Sequence, residues 1–240
     1  MRFFVLGIIV LTVTSKSLAT ELSKNLNATE IKRAAAVLGF SAHHRPFTAH
    51  SISEGDLGLD LGIESAFILR RDLLHQGDAS AVIPRTIPVP RIWISWEFPY
   101  DLSFSASVAP GFLFDGVTSY GVGLQWFFYE YSELNTSISF VTNFSSVSAF
   151  DDINAKVFTF DVQASRDLAI WQPYCGIGFA LQAARVNTAN AAPGVSAGRY
   201  YQVRPHSFIG ARIDLLTKLS VQFDFYGTQT SMGLLLENAF

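Results

Sequence analysis

From residue 57 to the end of the chain, bulky apolar residues alternate with small or polar ones. Between Tyr120 and Trp126, for example, Tyr, Val, Leu and Trp occupy every second position, with Gly121, Gly123 and Gln125 between them. Successive side chains of a β-strand point to opposite faces, so this period of two predicts strands with one apolar and one polar face. About ten such runs follow one another, each close to the 9–11 residues that a tilted strand needs to cross a bilayer.

The connections between these runs alternate in length. If the N-terminus lies in the periplasm, the odd-numbered connections are outer loops and the even-numbered ones are periplasmic turns. Three of the odd connections are long and all the even ones are short, as in outer-membrane barrels. Strand ends predicted from sequence shift by about two to four residues, so eight or twelve strands would also fit. The predicted odd connections are roughly 71–86, 113–117, 146–154, 185–199 and 228–229, and the even ones 99–101, 130–134, 166–168 and 215–217.

The polar face of the predicted strands is rich in Gly, Ser and Gln and carries few charges. A soluble sandwich or ligand-binding barrel also alternates, but this composition favours the enclosed lumen of a small barrel whose apolar face meets lipid. With strands about 4.8 Å apart and tilted about 40°, ten strands give a backbone radius of roughly 10 Å, which side chains largely fill. The polar residues predicted to face the lumen are Asp60, Glu64, Arg91, Glu97, Gln125, Asp161, Gln163, Arg204, Arg212, Asp214, Gln222, Asp224 and Glu237.

Seven of these lumen residues are acids and three are arginines. Charges inside a barrel must be paired or hydrated. One interpretation is a salt-bridged polar plug in which Arg91, Arg204 and Arg212 each bond carboxylates. The other is a narrow pore in which the excess of acids favours cations.

The N-terminus has the pattern of an export signal. Arg2 supplies a positive charge, residues 3–13 are apolar, and Ser17 and Ala19 place small residues ahead of a cleavage site after Ala19. The apolar run is too short for a transmembrane helix, although an uncleaved anchor or a buried strand is the alternative. Removing residues 1–19 leaves 15 basic and 20 acidic residues, a net charge of −5.

Residues 20–54 stand apart from the alternating pattern and are predicted to form a periplasmic segment. Asn27 can cap a helix with Glu30 as its capping-box partner, and the apolar spacing predicts a helix over about 28–38. Gly39 fits the residue that ends such a helix. The helix can lie at the periplasmic mouth or enter the lumen, and we expect the mouth.

Composition narrows the classes of protein further. Apolar residues make up 49% of the chain and charged residues 15%, and the mean hydropathy is +0.27. The chain is therefore too apolar to be disordered and too poor in Lys and Arg to bind nucleic acid. The lone Cys175, predicted to face lipid, excludes a disulfide framework. After the signal, no stretch of about 18 apolar residues predicts a helical membrane span.

Candidate chemistry is sparse, and the sequence predicts no catalytic residue, no metal site and no cofactor. His43-His44 and His50 could bind a metal, but no further ligand spacing supports a site. His206 lies in a predicted strand, where the neighbouring Ser207 should face the other way. The loop acids Asp151-Asp152 have no nearby histidine in sequence, and nothing in the sequence brings His75 or His206 to them. We therefore expect a protein that is not an enzyme.

The chain resembles the small outer-membrane β-barrel proteins of Gram-negative bacteria, the OmpA-like and porin-like group. The export signal, the alternating pattern over 57–240 and the run from Pro173 to Gly178 carry this resemblance. The C-terminal Phe240, with Leu236 and Leu234 before it, looks like the signal that such barrels present to their assembly machinery; Asn238 departs from the alternation. Aromatic clusters near three predicted turns fit an interfacial girdle: Trp96, Phe98 and Tyr100; Trp126, Phe128, Tyr129 and Tyr131; Trp171 and Tyr174.

These observations together predict an all-β, antiparallel, up-and-down transmembrane barrel over residues 55–240, preceded by a short helix. The resemblance implies a location in the bacterial outer membrane, with lipid and the barrel assembly machinery as partners. We expect a structural role or the passage of small solutes through a narrow pore. The alternatives are a surface module that binds or adheres through loops 71–86 and 185–199 and, less favoured, an outer-membrane hydrolase.

Overall fold

The computed structural model describes residues 27–47, 58–69, 86–111, 117–149, 153–186 and 198–239. The predicted export signal, His50, His75, Asp151-Asp152, Phe240 and most of the two long predicted loops lie outside these residues. The strands are β1 (Leu59–Leu69), β2 (Thr86–Phe98), β3 (Leu102–Ala109), β4 (Val117–Tyr131), β5 (Thr136–Ala149), β6 (Ile153–Arg166), β7 (Trp171–Val186), β8 (Gly198–Asp214), β9 (Lys218–Tyr226) and β10 (Gln229–Ala239).

The ten strands form one closed antiparallel barrel. Each strand pairs with the next along the chain, and β1 pairs with β10 to close the ring, with Asp60 opposite Ala239 and Phe67 opposite Met232. This confirms the predicted up-and-down barrel and its count of ten strands. Among the described residues, no helix is long and apolar enough to cross a membrane.

The two faces of the barrel wall differ as the period of two requires. Ile177, Val203 and Ile209 point outward and are 71%, 66% and 56% exposed, whereas serines and glutamines on the alternate positions are buried. The sulfur-bearing side chain of Cys175 is also exposed. A bare apolar exterior of this kind needs an apolar solvent, and it gives the barrel the surface of a membrane protein.

The aromatic girdle is present except at one position. Eight of the nine predicted aromatics are exposed. The prediction is wrong for Tyr174, which is 2% exposed and points into the lumen, where its hydroxyl donates to Gln222 Oε1 at 3.2 Å. Tyr174 lies one position before the outward Cys175, so the alternation itself assigns it to the inner face.

The wall is taller on one side than on the other. Strands β4 to β8 contain 14 to 17 residues, whereas β9, β10 and β1 to β3 contain 8 to 13. β8 pairs with β9 only over residues 206–214, so its first half extends beyond the β9–β10 hairpin. The tall side therefore rises at the end of the barrel that carries the long predicted loops.

Within residues 27–47, one helix, α1 (Ala28–Ser41), precedes the barrel. Its capping box is present: Asn27 Oδ1 accepts from the backbone N–H groups of Thr29 and Glu30, and Glu30 Oε2 accepts from Asn27 N–H. The helix runs through Gly39, so the prediction that Gly39 ends it is wrong. A Cβ at Gly39 would lie 2.2 Å from Gln182 Nε2, and this glycine instead lets the helix approach the wall closely.

The expected position at the periplasmic mouth is also wrong. The second half of α1 is buried against the loop ends of β5, β6 and β7, inside the barrel. Gln182 Nε2 of β7 donates to Ala35 O, and Gln202 Nε2 of β8 donates to Lys32 O. The physical reason is the fit of an alanine-rich helix face to a lumen lined with small residues, which the sequence pattern of the helix alone does not reveal.

Candidate functional site in the barrel lumen

The lumen is occupied by the chain's own N-terminal part. Residues 34–47 are buried throughout, and we call residues 27–47 the plug. The plug contacts every strand of the barrel. From β1 to β10, wall residues in contact with it are Glu64, Arg91, Ser107, Gly121, Ser145, Ala155, Gln182, His206, Asp224 and Ser231.

The helical half of the plug packs by shape. Ala34, Ala35, Val37 and Leu38 belong to one apolar cluster with wall residues of β1 to β7, and all four are 0–3% exposed. The wall members of this cluster on β5, β6 and β7 are Val147, Ile153, Ala155, Ala184 and Val186. Small side chains on both surfaces allow the helix and the wall to approach closely, and burial of their apolar area stabilises the contact.

Two arginines satisfy the carboxyl end of α1. The last carbonyls of a helix have no partner within the helix and carry a partial negative charge. Arg45 donates to Ser41 O at 3.2 Å and to His43 O at 3.5 Å. Arg91 of β2 donates to Ala42 O and, at 3.0 Å, to His43 O. The helix end is therefore bound by one cation of the plug and one of the wall.

The same arginines form a buried group of four charges with two wall carboxylates. Arg45 Nε donates to Asp224 Oδ2 at 2.6 Å, and Arg45 Nη1 lies 3.5 Å from Glu64 Oε1. Arg91 Nη1 lies 3.7 Å from that same oxygen of Glu64. All four side chains are buried. Two positive and two negative charges balance, which is the condition for burying ions without a prohibitive desolvation cost.

His44 is held by hydroxyl groups on the opposite side of the lumen. Its Nδ1 and Nε2 lie 2.8 Å and 2.7 Å from the Oγ atoms of Ser107 and Ser105, and its backbone N–H donates to Ser145 Oγ. Burial, followed by the positive charges of Arg91 and Arg45, lowers the pKa of His44 to about 3. His44 belongs to the plug and to no membrane-spanning strand, and it is a neutral hydrogen-bonding group at neutral pH.

His43 meets a second buried cluster on β6, β8 and β9. His206 Nδ1 lies 2.7 Å from Asp161 Oδ1, and His206 Nε2 lies 3.4 Å from Asp224 Oδ1. His43 Nε2 lies 3.8 Å from the same Asp224 oxygen. The Tyr226 ring is stacked on His206 with centroids 4.5 Å apart. Burial outweighs the attraction of Asp224 and lowers the pKa of His43.

The structure divides the predicted lumen residues into two groups. The first surrounds the plug and contains Glu64, Arg91, Asp161, Gln222 and Asp224, all buried. The second lies at the turn end, where Lys218 Nζ is 3.1 Å from Asp60 Oδ2, Arg212 Nε is 2.8 Å from Asp214 Oδ1, and Glu237 Oε1 is 3.6 Å from Arg212 Nε. Of the remaining residues, Gln125 Nε2 donates to Ser139 Oγ, Gln163 is buried, and Glu97 and Arg204 are half-buried.

The prediction that each arginine bonds carboxylates is wrong for Arg204. Its Nε and Nη2 donate to Gln202 Oε1 at 3.1 Å and 2.8 Å, and its guanidinium lies over the Phe40 ring. Arg204 lies in the first half of β8, beyond the end of β9, so the acids of β9 lie deeper in the lumen. Leu234 and Leu236 of the predicted assembly signal lie half-buried on the outward positions of β10.

The predicted set of lumen-facing residues omits the plug's own residues. His43, His44 and Arg45 are among the largest fully buried side chains, together with Trp93 of β2. One signal could have indicated this: three consecutive basic or titratable residues lie close to a barrel with an excess of lumen acids. The plug residue His43 and the wall residues His206 and Asp224 offer ligand atoms that all lie within 4.8 Å of one another.

Comparison with known proteins yields structural likeness only. No family model matches the chain, and no curated protein matches it either. The N-terminal β-barrel domain of Pseudomonas aeruginosa OprF aligns with 75% of this chain and 97% of its own, with a TM-score of 0.35 and 11% identity. Ail, the attachment invasion locus protein of Yersinia pestis, aligns over 78% and 97%, with a TM-score of 0.33 and 11% identity.

The KdgM porin, solved in complex with disordered oligogalacturonate, gives similar values: 76% and 99% coverage, a TM-score of 0.34 and 12% identity. Scores of this size carry no argument about activity. The architecture of this chain, given by its own strand pairing and apolar exterior, is that of a small outer-membrane β-barrel.

Proposed function

We propose that this protein is an outer-membrane β-barrel that its own N-terminal plug keeps closed, and that small cations pass when the plug leaves its seat. The observation that carries the proposal is the contact of the plug with all ten strands. A segment that reaches every strand and is buried from residue 34 to residue 47 obstructs an aqueous path through the barrel.

The outer-membrane location is supported by the apolar exterior. Exposed Ile, Val, Phe and Trp side chains surround the barrel, and the aromatic residues concentrate near the short turns. A closed barrel has no unpaired strand edge, which is the condition for crossing lipid with β-structure. Membrane lipid is therefore the partner that this surface fits best.

The preference for cations follows from the positive charge that the plug takes out of the lumen when it moves. Arg45 belongs to the plug, whereas Glu64 and Asp224 belong to the wall. An unseated plug leaves Glu64 beside Arg91 and Asp224 beside His206. The open lumen would then carry more acid than base, and a negative lining raises the local concentration of cations.

The test is to fix the plug to the wall by a disulfide. An ideal Cβ at Gly39 lies 3.1 Å from Ala155 Cβ, close to the Cβ separation of about 3.5–4.5 Å in disulfides. The amide of Gln182 ends a flexible side chain and can turn aside. The variant combines Gly39→Cys and Ala155→Cys with Cys175→Ser, because Cys175 is the single native cysteine.

Single-channel recordings then compare the oxidised and reduced forms of this variant in a planar bilayer. We expect the disulfide to form, the oxidised protein to be silent, and the reduced protein to show cation-preferring openings. Gly39→Cys with Cys175→Ser, which cannot form the bridge, is the matched control and should behave alike in both redox states. Equal conductance of both forms would show that the plug does not close the lumen. Silence of both would reduce the role to that of a closed structural barrel.

A further inference from the structure

The two histidines beside Asp224 present an unusual arrangement of protons. His206 Nδ1 lies 2.7 Å from a carboxylate oxygen of Asp161, and His43 Nδ1 lies 2.9 Å from Phe40 O. Carboxylate and carbonyl oxygens only accept hydrogen bonds, so each Nδ1 carries the proton. In a neutral imidazole the other nitrogen, Nε2, is then an acceptor with a lone pair.

Both Nε2 atoms face the same oxygen, Asp224 Oδ1. The separations are 3.4 Å from His206 and 3.8 Å from His43, longer than a good N–H···O hydrogen bond. Two lone pairs and a carboxylate oxygen repel one another unless a proton or another positive charge lies between them, and the Tyr226 hydroxyl, 2.9 Å from His43 Nε2, can donate to one of the two lone pairs. All three side chains are buried, so bulk water does not screen this repulsion.

We propose that His43, His206 and Asp224 bind one divalent transition-metal ion of the Zn²⁺ type, which fastens the plug to the wall. Metal–nitrogen and metal–oxygen bonds of about 2.0–2.1 Å in a tetrahedral site place neighbouring ligand atoms about 3.3–3.4 Å apart. The three ligand atoms lie within 4.8 Å of one another, so movements of less than an ångström complete the geometry.

The surroundings support a metal in two ways. The bond from Asp161 to His206 Nδ1 is the carboxylate–histidine–metal arrangement that orients a ligand ring and raises its basicity. The Tyr226 hydroxyl lies 2.8 Å from Nδ1 and 2.9 Å from Nε2 of His43, so once it turns away from Nε2 it can bond a fourth ligand such as water. Imidazole with carboxylate is a ligand set that suits Zn²⁺, Fe²⁺ and Ni²⁺.

Three neighbours already contact the ligand groups and define what metal binding must change. The Tyr226 hydroxyl lies 2.9 Å from His43 Nε2 and would have to leave that nitrogen. Gln222 Nε2 donates to Asp224 Oδ1 at 2.7 Å and would have to turn away. Arg45 Nε binds the other oxygen, Asp224 Oδ2, and can keep that position while Oδ1 takes the metal. A single carboxylate then bridges the guanidinium and the ion, and both hold the plug.

The experiment measures metal binding by the purified full chain in detergent, after treatment with a chelator. Zn²⁺ is titrated by calorimetry, and Co²⁺ is used as a spectroscopic probe because tetrahedral Co²⁺ absorbs strongly in the visible range. We expect one ion per chain, loss of saturable binding in His43→Ala and His206→Gln, and binding about 10–100-fold weaker in Asp161→Asn.

Asp60→Asn is the matched control, since Asp60 is another lumen carboxylate but lies with Lys218 at the turn end. It should bind the ion like the native chain. Binding that survives in both His43→Ala and His206→Gln, or native protein that takes up no stoichiometric ion, would overturn the proposal. In that second case a proton, not a metal, joins the three groups. Each variant is first checked for heat-modifiable mobility, which reports that the barrel has folded.

This inference rests on the seating of the plug that the proposed function assumes, and the two fail separately. If the Gly39–Ala155 disulfide forms but no metal binds, the metal site alone is wrong. If the disulfide does not form, the plug is not in its seat and both proposals fall. Conductance plays no part in the metal measurement.

Discussion

The two halves of the plug are held by opposite kinds of contact. The helical half lies against the tall side of the wall through small apolar residues such as Ala35 and Leu38. The extended half, residues 42–47, is held by ions and hydrogen bonds through His43, His44 and Arg45. The same stretch of chain therefore changes from packing by shape to packing by charge within a few residues.

This difference in contacts assigns two roles to the two halves: one retains the plug in the barrel, and the other controls its seating. Apolar packing depends weakly on pH, salt and metal ions near room temperature. Buried charges are stable only while each has its partner, because an unpaired ion in the lumen carries its full desolvation cost. We infer that the helical half keeps the plug in the barrel, whereas the extended half decides whether it is seated.

The largest effect is expected from Arg45→Leu, which removes charge from the extended half. Asp224 would lose its 2.6 Å partner, and Glu64 would be left with Arg91 alone. Breaking a buried pair in this way costs about 3–5 kcal/mol. The free energy of seating is measured by the rate at which chymotrypsin cleaves after Phe40, which is 1% exposed in the seated plug.

Arg45→Leu combined with Asp224→Leu sharpens this test. The double variant leaves the Arg91–Glu64 pair balanced and buries no unpaired carboxylate at position 224. It should recover a large part of the lost protection. A double variant as sensitive to cleavage as the single one would show that the charges are not what seats the extended half.

A smaller effect is expected from Gly121→Leu, which adds volume to the wall beside the extended half of the plug, where charged and polar contacts dominate. An added Cβ at Gly121 would lie 2.4 Å from His44 Cβ, so the side chain must displace the plug. Overpacking of this kind costs about 1–3 kcal/mol. Gly58→Ala is the control, since its Cβ would meet Glu97 only at 3.4 Å. Equal protection of Phe40 in both variants would place His44 away from this wall.

The next effect in size is expected from acidification, which should loosen the extended half of the plug. The pKa of His44 is lowered to about 3 in the seated plug by burial and by Arg91 and Arg45. In the released plug, His44 has a pKa near 6.5, so the released state takes up a proton at a higher pH than the seated state does. Seating is therefore stable above pH 6.5 and weakens as the pH falls towards 3. The loss is about 1.4 kcal/mol per pH unit below 6.5.

The pH dependence is measured as Phe40 cleavage between pH 7.5 and 5.5 with a protease active over that range. His44→Gln retains a hydrogen-bonding group but does not titrate, so its protection should vary less with pH. An identical pH profile in the variant and the native chain would assign the titration to another group.

The smallest effect is expected at the start of the helical half. Asn27→Ala removes the capping bonds to Thr29 and Glu30, which are exposed, at a cost of about 1 kcal/mol. Helix fraying should be visible by hydrogen exchange at residues 29–31, with protection of Phe40 unchanged. Unseating by this variant would contradict the division of the plug into two independently held halves.

The barrel could be predicted from the sequence because every strand repeats the same local pattern. Alternation along Trp126, Leu124 and Val122, with glycine and glutamine between them, is decided by which face meets lipid. The capping box of α1 was equally local, since Asn27 and Glu30 lie three residues apart.

The contents of the lumen could not be predicted in the same way. His43 and Asp224 meet although they lie 181 positions apart in the sequence, and the helical period is the same for a helix at the mouth and one in the lumen. The sequence predicts the end of α1 at Gly39 because glycine commonly follows a helix, whereas in the structure this glycine lets the helix approach Gln182 closely. Packing partners distant in sequence decided each of these points.

The route of the plug has a kinetic consequence for biogenesis. Lys32 lies near Gln202 at the loop end, whereas Phe47 packs against Trp93 and Leu235, so residues 32–47 run inward from the loop end. The ring is closed by two strands that are far apart in sequence, with Asp60 beside Ala239. If the ring closed without the plug, Arg45 and the carbonyl groups of Ser41, Ala42 and His43 would have to enter the closed barrel afterwards. These polar groups would lose their hydration as they entered. We expect the wall to assemble around the plug, which then serves as a template for the seam.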